Sequence, residues 1–222
     1  MTLTRRPVRP MTAEEADKPL VSRDFVGPAG GNVFAMTNTV NRRTALRYGL
    51  TTAAAAVATL TQAPPAAPAS ADPGFDKQLL DRANFLRARH GCPPLALDAE
   101  IGRWAQEWAT TMASNGRLEH RPTNKYGENL YLAWSSTGAT PSGAAVADAW
   151  YDQIKEYTYF GREPDMSTFR QWGLFTQLVW KSSRRIGVGL AKTTSGHTYV
   201  AVDFDPAGNV ARGFAANVPA PG

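Results

Sequence analysis

Ile186-Gly-Val-Gly-Leu-Ala191 and Thr198-Tyr-Val-Ala-Val-Asp-Phe204, joined by a Thr-Thr-Ser-Gly-His turn, decide the fold class. Two runs of β-branched, aromatic and small residues across a glycine-containing turn read as antiparallel strands. Gly187 and Gly189 fall inside the first run, where a glycine signals close backbone approach more than a phosphate loop. Upstream the apolar spacing changes to threes and fours. Phe75, Leu79, Ala83 and Leu86 mark a helix that stops near His90-Gly91 before Pro93-Pro94. Asp98 then caps a second helix with Ile101, Trp104, Ala105, Trp108 and Met112 as its buried stripe and Gly116 at its end. A third starts at Thr140-Pro141 and carries Val146, Ala149, Trp150, Ile154 and Tyr157 on one side; residues 158–172 read as a loop, and Leu174 to Trp180 as a short helix. Helices first and a hairpin last predict an α+β fold with helices packed on an antiparallel sheet, not alternating βαβ units.

The charge of this 222-residue chain is concentrated at its start. The formal net charge is +5, and eight basic against four acidic residues before Asp72 hold +4 of it. The remaining 151 residues stand at +1, which removes the nucleic-acid reading that a pI near 9.5 invites. Asn41-Arg42-Arg43-Thr44-Ala45-Leu46-Arg47, an Ala-rich stretch through Val57-Ala58 and the closing Ala69-Ser70-Ala71 have the order of an export signal. The arginine pair points to the twin-arginine type. Thr51, Thr52, Thr59, Thr61 and Gln62 break the stretch below the ~20 apolar residues of a membrane span. Residues 36–71 are therefore expected to be a signal peptide cut after about Ala71. Residues 1–35 lack apolar periodicity and are expected to be disordered or an over-extended gene start, with translation beginning at Met36. Residues 72–222 suffice for one globular domain.

Common catalytic signatures are missing: there is no Gly-x-Ser-x-Gly elbow, no His-Glu-x-x-His helix, no phosphate loop and no dinucleotide fingerprint. The single cysteine, Cys92, cannot form an internal disulfide, and with two prolines after it and no oriented base it reads as a structural thiol. His90, at a helix end, and His197, in a turn, read as structural. His120 stands apart because it precedes a turn leading to Glu128. Phe175, Gln177 and Trp180 read as packing residues, while Trp134, ahead of the polar stretch Ser135 to Thr140, is left open between a cleft wall and a loop anchor.

Five motifs in order resemble one family. Leu118-x-His120, Tyr126-Gly-Glu-Asn-Leu130, Trp150-Tyr151 with Tyr157, Gly173-x-Phe-Thr-Gln-Leu-Val-Trp180 and Asp205-Pro-Ala-Gly-Asn209 look like the CAP superfamily of cysteine-rich secretory, antigen 5 and pathogenesis-related 1 proteins, also called the SCP domain. Arg89-His90-Gly91 with Pro93-Pro94-Leu95 is similar to the family's opening helix and loop. The resemblance implies a three-layer α-β-α sandwich with a central antiparallel sheet and an open cleft. It also implies a cleft tetrad of two His and two acidic residues associated with a divalent metal such as zinc.

That tetrad carries over by half. His120 and Glu128 match, but the second acidic position is Gln153 and the second histidine is Leu174. A zinc site wants about four N, O or S donors; leucine offers none and a neutral amide is a poor substitute for carboxylate. Zinc is expected to bind weakly or not at all, with His120 and Glu128 as the residual ligands, and no cofactor is required. The expectation is an exported, extracellular, monomeric binding module for a sterol, lipid or cell-envelope component, with no nucleic-acid partner. The rival is a hydrolase or peptidase working through His120, Glu128 and a serine such as Ser182 or Ser183.

Overall fold

The computed structural model describes residues 25–26, 32–36 and 72–222. The expected signal region, its cut after Ala71 and most of the first 35 residues lie outside these. Chain order is β1 (Phe25–Val26), β2 (Asn32–Met36), α1 (Pro73–Ala88), β3 (Ala96–Leu97), α2 (Ala99–Asn115), β4 (Gly127–Trp134), α3 (Gly143–Tyr151), α4 (Phe169–Leu178), β5 (Arg185–Lys192), β6 (His197–Asp205) and α5 (Phe214–Asn217).

The hairpin read from the sequence is β5 and β6, paired antiparallel from Arg185↔Asp205 to Lys192↔Thr198. β6 then pairs antiparallel with β4, placing Glu128 opposite Asp203. The full order is β1-β2-β4-β6-β5-β3. It is antiparallel except at one edge, where two-residue β3 runs parallel to β5. At the other edge Val33 to Met36 pair with Leu130 to Ala133. A five-residue run is too short to register as periodicity, yet it can satisfy the backbone groups of an open sheet edge.

Strand alternation assigns the two faces. Leu130 of β4 and Tyr199 and Ala201 of β6 pack under Ala105, Trp108, Ala109 and Met112 of α2. Their neighbours Tyr131, Val200, Val202 and Phe204, with Ile186, Val188 and Leu190 of β5, form the larger core with α1, α3 and α4 residues such as Leu79, Leu86, Trp150, Leu174 and Leu178. The result is the expected three-layer α-β-α arrangement. A Cβ on Gly187 would lie 2.1 Å from Gly102 N, and one on Gly189 2.3 Å from the Ala105 carbonyl carbon. The two strand glycines thus let α2 lie directly on β5.

The caps are those read from the sequence. The Asp98 side chain accepts from the N–H groups of Glu100 and Ile101, and Gly116 closes α2 at φ +65°. The third helix is shorter than its apolar spacing suggested: Ser142 caps α3, which gives way after Tyr151 to a 3-10 segment, Asp152–Glu156. The fourth starts five residues before the predicted Leu174, after a 3-10 turn at Met166–Thr168, so the loop expected over 158–172 ends early. The Arg87 guanidinium is fully buried and donates to the carbonyls of Pro93, Leu178, Trp180 and Ser183, tying α1 to the chain after α4. Burial without a carboxylate partner lowers its pKa to about 10.

Candidate functional site: a buried carboxylate pair at the start of β4

β4 begins where the site is. Glu128, on the α2 side by alternation with Leu130, is 1% exposed. Its Oε1 accepts from His120 Nδ1 at 2.6 Å and from the Arg121 backbone N–H at 3.2 Å. Its Oε2 accepts from the Asn124 amide, which also donates to Asp203 Oδ1 at 2.6 Å. Asn124 is held in turn by the Trp104 indole N–H. The Arg121 guanidinium stacks 3.7 Å from the Trp104 ring and donates to Glu107 and to the Trp104 carbonyl. Trp104, expected in the buried stripe of α2, is instead half-buried and walls this site: the 118–126 loop, not the sheet, covers that part of the helix.

Two carboxylates facing each other across β4 and β6 share one donor amide. Burial first, and then the charge of Glu128, push the Asp203 carboxyl well above the ordinary aspartate range. Asp203 therefore holds its proton at pH values where an exposed aspartate is ionised. Two polar atoms are buried here without a partner, Asp203 Oδ2 and His120 Nε2. Facing a carboxylate, Nδ1 is the donor of the His120–Glu128 pair. Asp203 was missed in the sequence because it sits inside an apolar strand run; a charged residue on the inward register of a central strand was the available signal.

The other two expected cleft positions form a second pair. The Leu174 N–H donates to Gln153 Oε1 at 3.0 Å, and the Leu174 carbonyl accepts from the Asn129 amide at 3.0 Å. Adjacent residues of β4 thus serve the two pairs from opposite sides of the strand, Glu128 holding His120 and Asn129 holding Leu174. No hydrogen bond joins the pairs. The Leu174 side chain is fully buried in the core beside Trp150 and Leu178. Among the described residues no group of three or more His, Cys, Asp or Glu side chains is arranged to hold a metal ion. The donor set, one imidazole nitrogen beside a carboxylate it already binds, does not fit a resident zinc.

The serines do not complete a catalytic group. Ser183 is buried and donates to the Pro206 carbonyl, and the Ser182 N–H donates to Asn217; neither bonds His120 or Glu128. Cys92 is buried with its thiol on the Val179 carbonyl, and burial pushes that thiol up. His90 is structural, but not as a charged helix-end residue: it is buried, with Nδ1–H donating to Pro219 O and Nε2 accepting from Tyr151 OH.

The remaining motif residues are packing devices. Gln177 is fully buried and accepts from the Gly208 N–H. A Cβ on Gly127 would stand 2.1 Å from Gln177 Oε1, which explains that glycine. Asn209 accepts from the Thr176 hydroxyl and donates to the Gly173 carbonyl, locking the last turn onto α4.

The family model described as CAP, cysteine-rich secretory protein family, matches residues 80–204, from within α1 to the last residues of β6. The chain belongs to this family. Golgi-associated plant pathogenesis-related protein 1 of Homo sapiens is 38% identical over 142 residues, covering 64% of this chain and 88% of that protein. Secreted protein RBT4 of Candida albicans is 36% identical over 141 residues, which are 63% of this chain and 37% of the relative. The CAP fold is also that of NaASP2, solved with Zn2+, with a TM-score of 0.50 at 20% identity over 68% of this chain and 87% of that one. Among the described residues, no helix of this CAP domain is long and apolar enough to cross a membrane.

Proposed function

We propose that this CAP domain is a non-enzymatic, extracellular binding module for a sterol, a lipid or another cell-envelope component. One observation carries the reading: the reactive-looking pair at the site is engaged. His120 spends Nδ1 on Glu128, Glu128 spends both oxygens on His120, Arg121 and Asn124, and among the described residues no serine or cysteine hydrogen-bonds His120. General acid–base work needs a base in contact with the group it deprotonates. Membership of a secretory family and the export order of residues 36–71 support delivery outside the cell after cleavage near Ala71. N-terminal sequencing of the secreted protein tests the cut.

NaASP2 was solved with Zn2+; here the residual ligands are His120 and Glu128, and zinc is proposed to bind weakly or not at all. Calorimetry of the full chain with zinc chloride is expected to show no tight stoichiometric binding, and Gln153→Glu with Leu174→His, which restores both donors, to bind tighter. The deciding experiment is titration with a fluorescent cholesterol analogue in the presence of EDTA. Saturable, chelator-insensitive binding is expected. Labelling by a fluorophosphonate probe that disappears in His120→Ala would overturn the reading in favour of a hydrolase.

A further inference from the structure

The far end of β4 carries a second constellation, six residues and so about 20 Å along the strand from Glu128. Two loops meet there, the Ser135–Ala139 stretch after β4 and the Thr193–Gly196 turn between β5 and β6. They are clamped together. The Ser135 N–H donates to Gly196 O at 3.0 Å, the Trp134 indole N–H to Ser195 O at 3.0 Å, and the Lys192 ammonium to Gly138 O at 2.8 Å. Gly196 has φ +88°, and a Cβ there would sit 2.3 Å from the Ser135 carbonyl oxygen. Only glycine lets the two loops close to this distance.

Between them lies an open hollow of about 520 Å³, within the ~300–1,000 Å³ range of small-molecule sites. Its lining is distinctive: one large aromatic ring, backbone, and a fringe of serine and threonine hydroxyls, with no carboxylate, imidazole or thiol. Trp134 is 40% exposed, yet its ring is fixed by the bond to Ser195, so it presents a rigid apolar plate to solvent. The Ser136 and Thr194 side chains are exposed and make no hydrogen bond among the described residues, while Thr193 and Ser195 bond each other and Ser195 also bonds His197 Nδ1.

That lining selects among ligand classes. A lipid chain needs apolar walls, and one indole is not enough. A metal needs anionic or imidazole donors, which are missing. A phosphate needs free cations, and the lone ammonium already rests on Gly138. A pyranose matches: its flat C–H face covers an indole, and its ring of hydroxyls exchanges hydrogen bonds with side-chain hydroxyls that both donate and accept. We propose that this hollow is a saccharide-binding site for two or three neutral pyranose units, with Trp134 as the stacking plate and Ser136 and Thr194 as polar contacts. It is independent of the His120–Glu128 cluster and adds a second ligand class to the same domain.

Calorimetric titration of the full chain with cellotetraose, chitotetraose and maltotetraose tests this. At least one is expected to bind at concentrations up to about 10 mM, the weak end of specific recognition. Trp134→Ala is expected to weaken binding roughly tenfold and Trp134→Phe to retain part of it, because stacking survives in the smaller ring. Thr194→Ala should cost a smaller factor, and His120→Ala should change nothing. Unchanged circular dichroism and melting temperature in Trp134→Ala separate lost contact from lost fold. Failure of all three sugars to bind, or equal binding by wild type and Trp134→Ala, overturns the proposal. Cholesterol-analogue binding measured on the same Trp134→Ala protein keeps the two sites distinguishable, since it should persist.

Discussion

The two faces of the central sheet are packed by opposite means. Toward α1, α3 and α4 the strands offer Tyr131, Ile186, Val188, Leu190, Val202 and Phe204, and large apolar side chains fill the space. Toward α2 they offer Gly187, Gly189, Ala191 and Ala201, and the helix backbone itself comes down onto β5. The first face is a core in the ordinary sense. Over β5 the second is a backbone contact with almost no side chain between, while over β4 and β6 Leu130 and Tyr199 still pack against Trp108 and Met112, and it is the face that carries the buried carboxylates Glu128 and Asp203. The helix is seated on Gly187 and Gly189 of β5, and beside it, opposite Gly187 in the sheet, the loop of residues 118–126 closes over Asp203 and Glu128, where the polar network forms.

Gly187 and Val188 are neighbours on opposite faces and give the sharpest way to break this comparison. Gly187→Ala adds one carbon that meets backbone atoms of Ile101 and Gly102, which cannot rotate away. Val188→Ala removes two carbons from the large core. Adding the carbon is expected to cost about 3 kcal/mol or more, at the upper end of overpacking, and removing two about 2 kcal/mol. Urea unfolding of both variants measures the order. If Gly187→Ala is the milder change, α2 is less rigidly seated than its contact with β5 implies.

Much of this was legible in the chain and some was not, for identifiable reasons. The β5–β6 hairpin, the helix caps at Asp98 and Gly116 and the close-approach role of Gly187 and Gly189 followed from local rules, because each is decided within a few residues. Glu128 and His120 were found through a motif. Asp203 was not, because its significance depends on lying opposite Glu128, a cross-strand relation no local pattern encodes. Trp104 misled for the same reason: its helical spacing is that of a core residue, and only the return of the Asn124 loop shows that it is covered by Arg121 instead. The short strands at Phe25–Val26 and Asn32–Met36 were hidden by their brevity.

The polar face should respond to loss of charge where the apolar face responds to loss of volume. Asp203 has a raised folded-state pKa, so the unfolded chain loses this proton more readily. The resulting cost to stability is absent below the unfolded aspartate pKa of about 3.9 and grows as pH rises above it. Asp203→Asn removes that cost and keeps an acceptor for Asn124. The variant is expected to be more stable than wild type at pH 7 and to lose the advantage near pH 4. Denaturation curves at both pH values check it; a destabilised variant at pH 7 would mean that Asp203 is ionised in the fold.

His90 gives the same test with the opposite sign on the α1 side. Burial first, opposed by the hydrogen bond to Pro219, lowers its pKa. The stability it lends is complete above the unfolded histidine pKa of about 6.5 and is lost as pH falls through the lower folded value. In the difference between wild type and His90→Gln, wild type is expected to lose stability with a slope approaching 1.4 kcal/mol per pH unit below about pH 6. Thermal melts between pH 7.5 and pH 5 resolve this slope, and parallel curves would show His90 free to charge in place.

The caps of the two helix layers differ as well. Ser142 caps α3 above the large core with one bond, to the Ala145 N–H. Asp98 caps α2 above the glycine face with two, to Glu100 and Ile101, and its second oxygen holds Arg185, which also reaches Asp205 at the end of β6. Ser142→Ala should cost about 1 kcal/mol. Asp98→Ala should cost slightly more, about 1–2 kcal/mol, because the helix loses its cap and the Arg185 link to β5 loses one anchor, although that ion pair is largely exposed and contributes little by itself. The hydrogen bond from Ile101 foremost holds the Asp98 carboxyl below the ordinary range, so the Asp98 contribution alone should fade as pH drops below about 4. Melting both variants at pH 7 and at pH 3 isolates that difference: the Ser142→Ala deficit should persist in acid, and the Asp98→Ala deficit should shrink, because protonation has already weakened the wild-type cap that seats α2 on its two glycines.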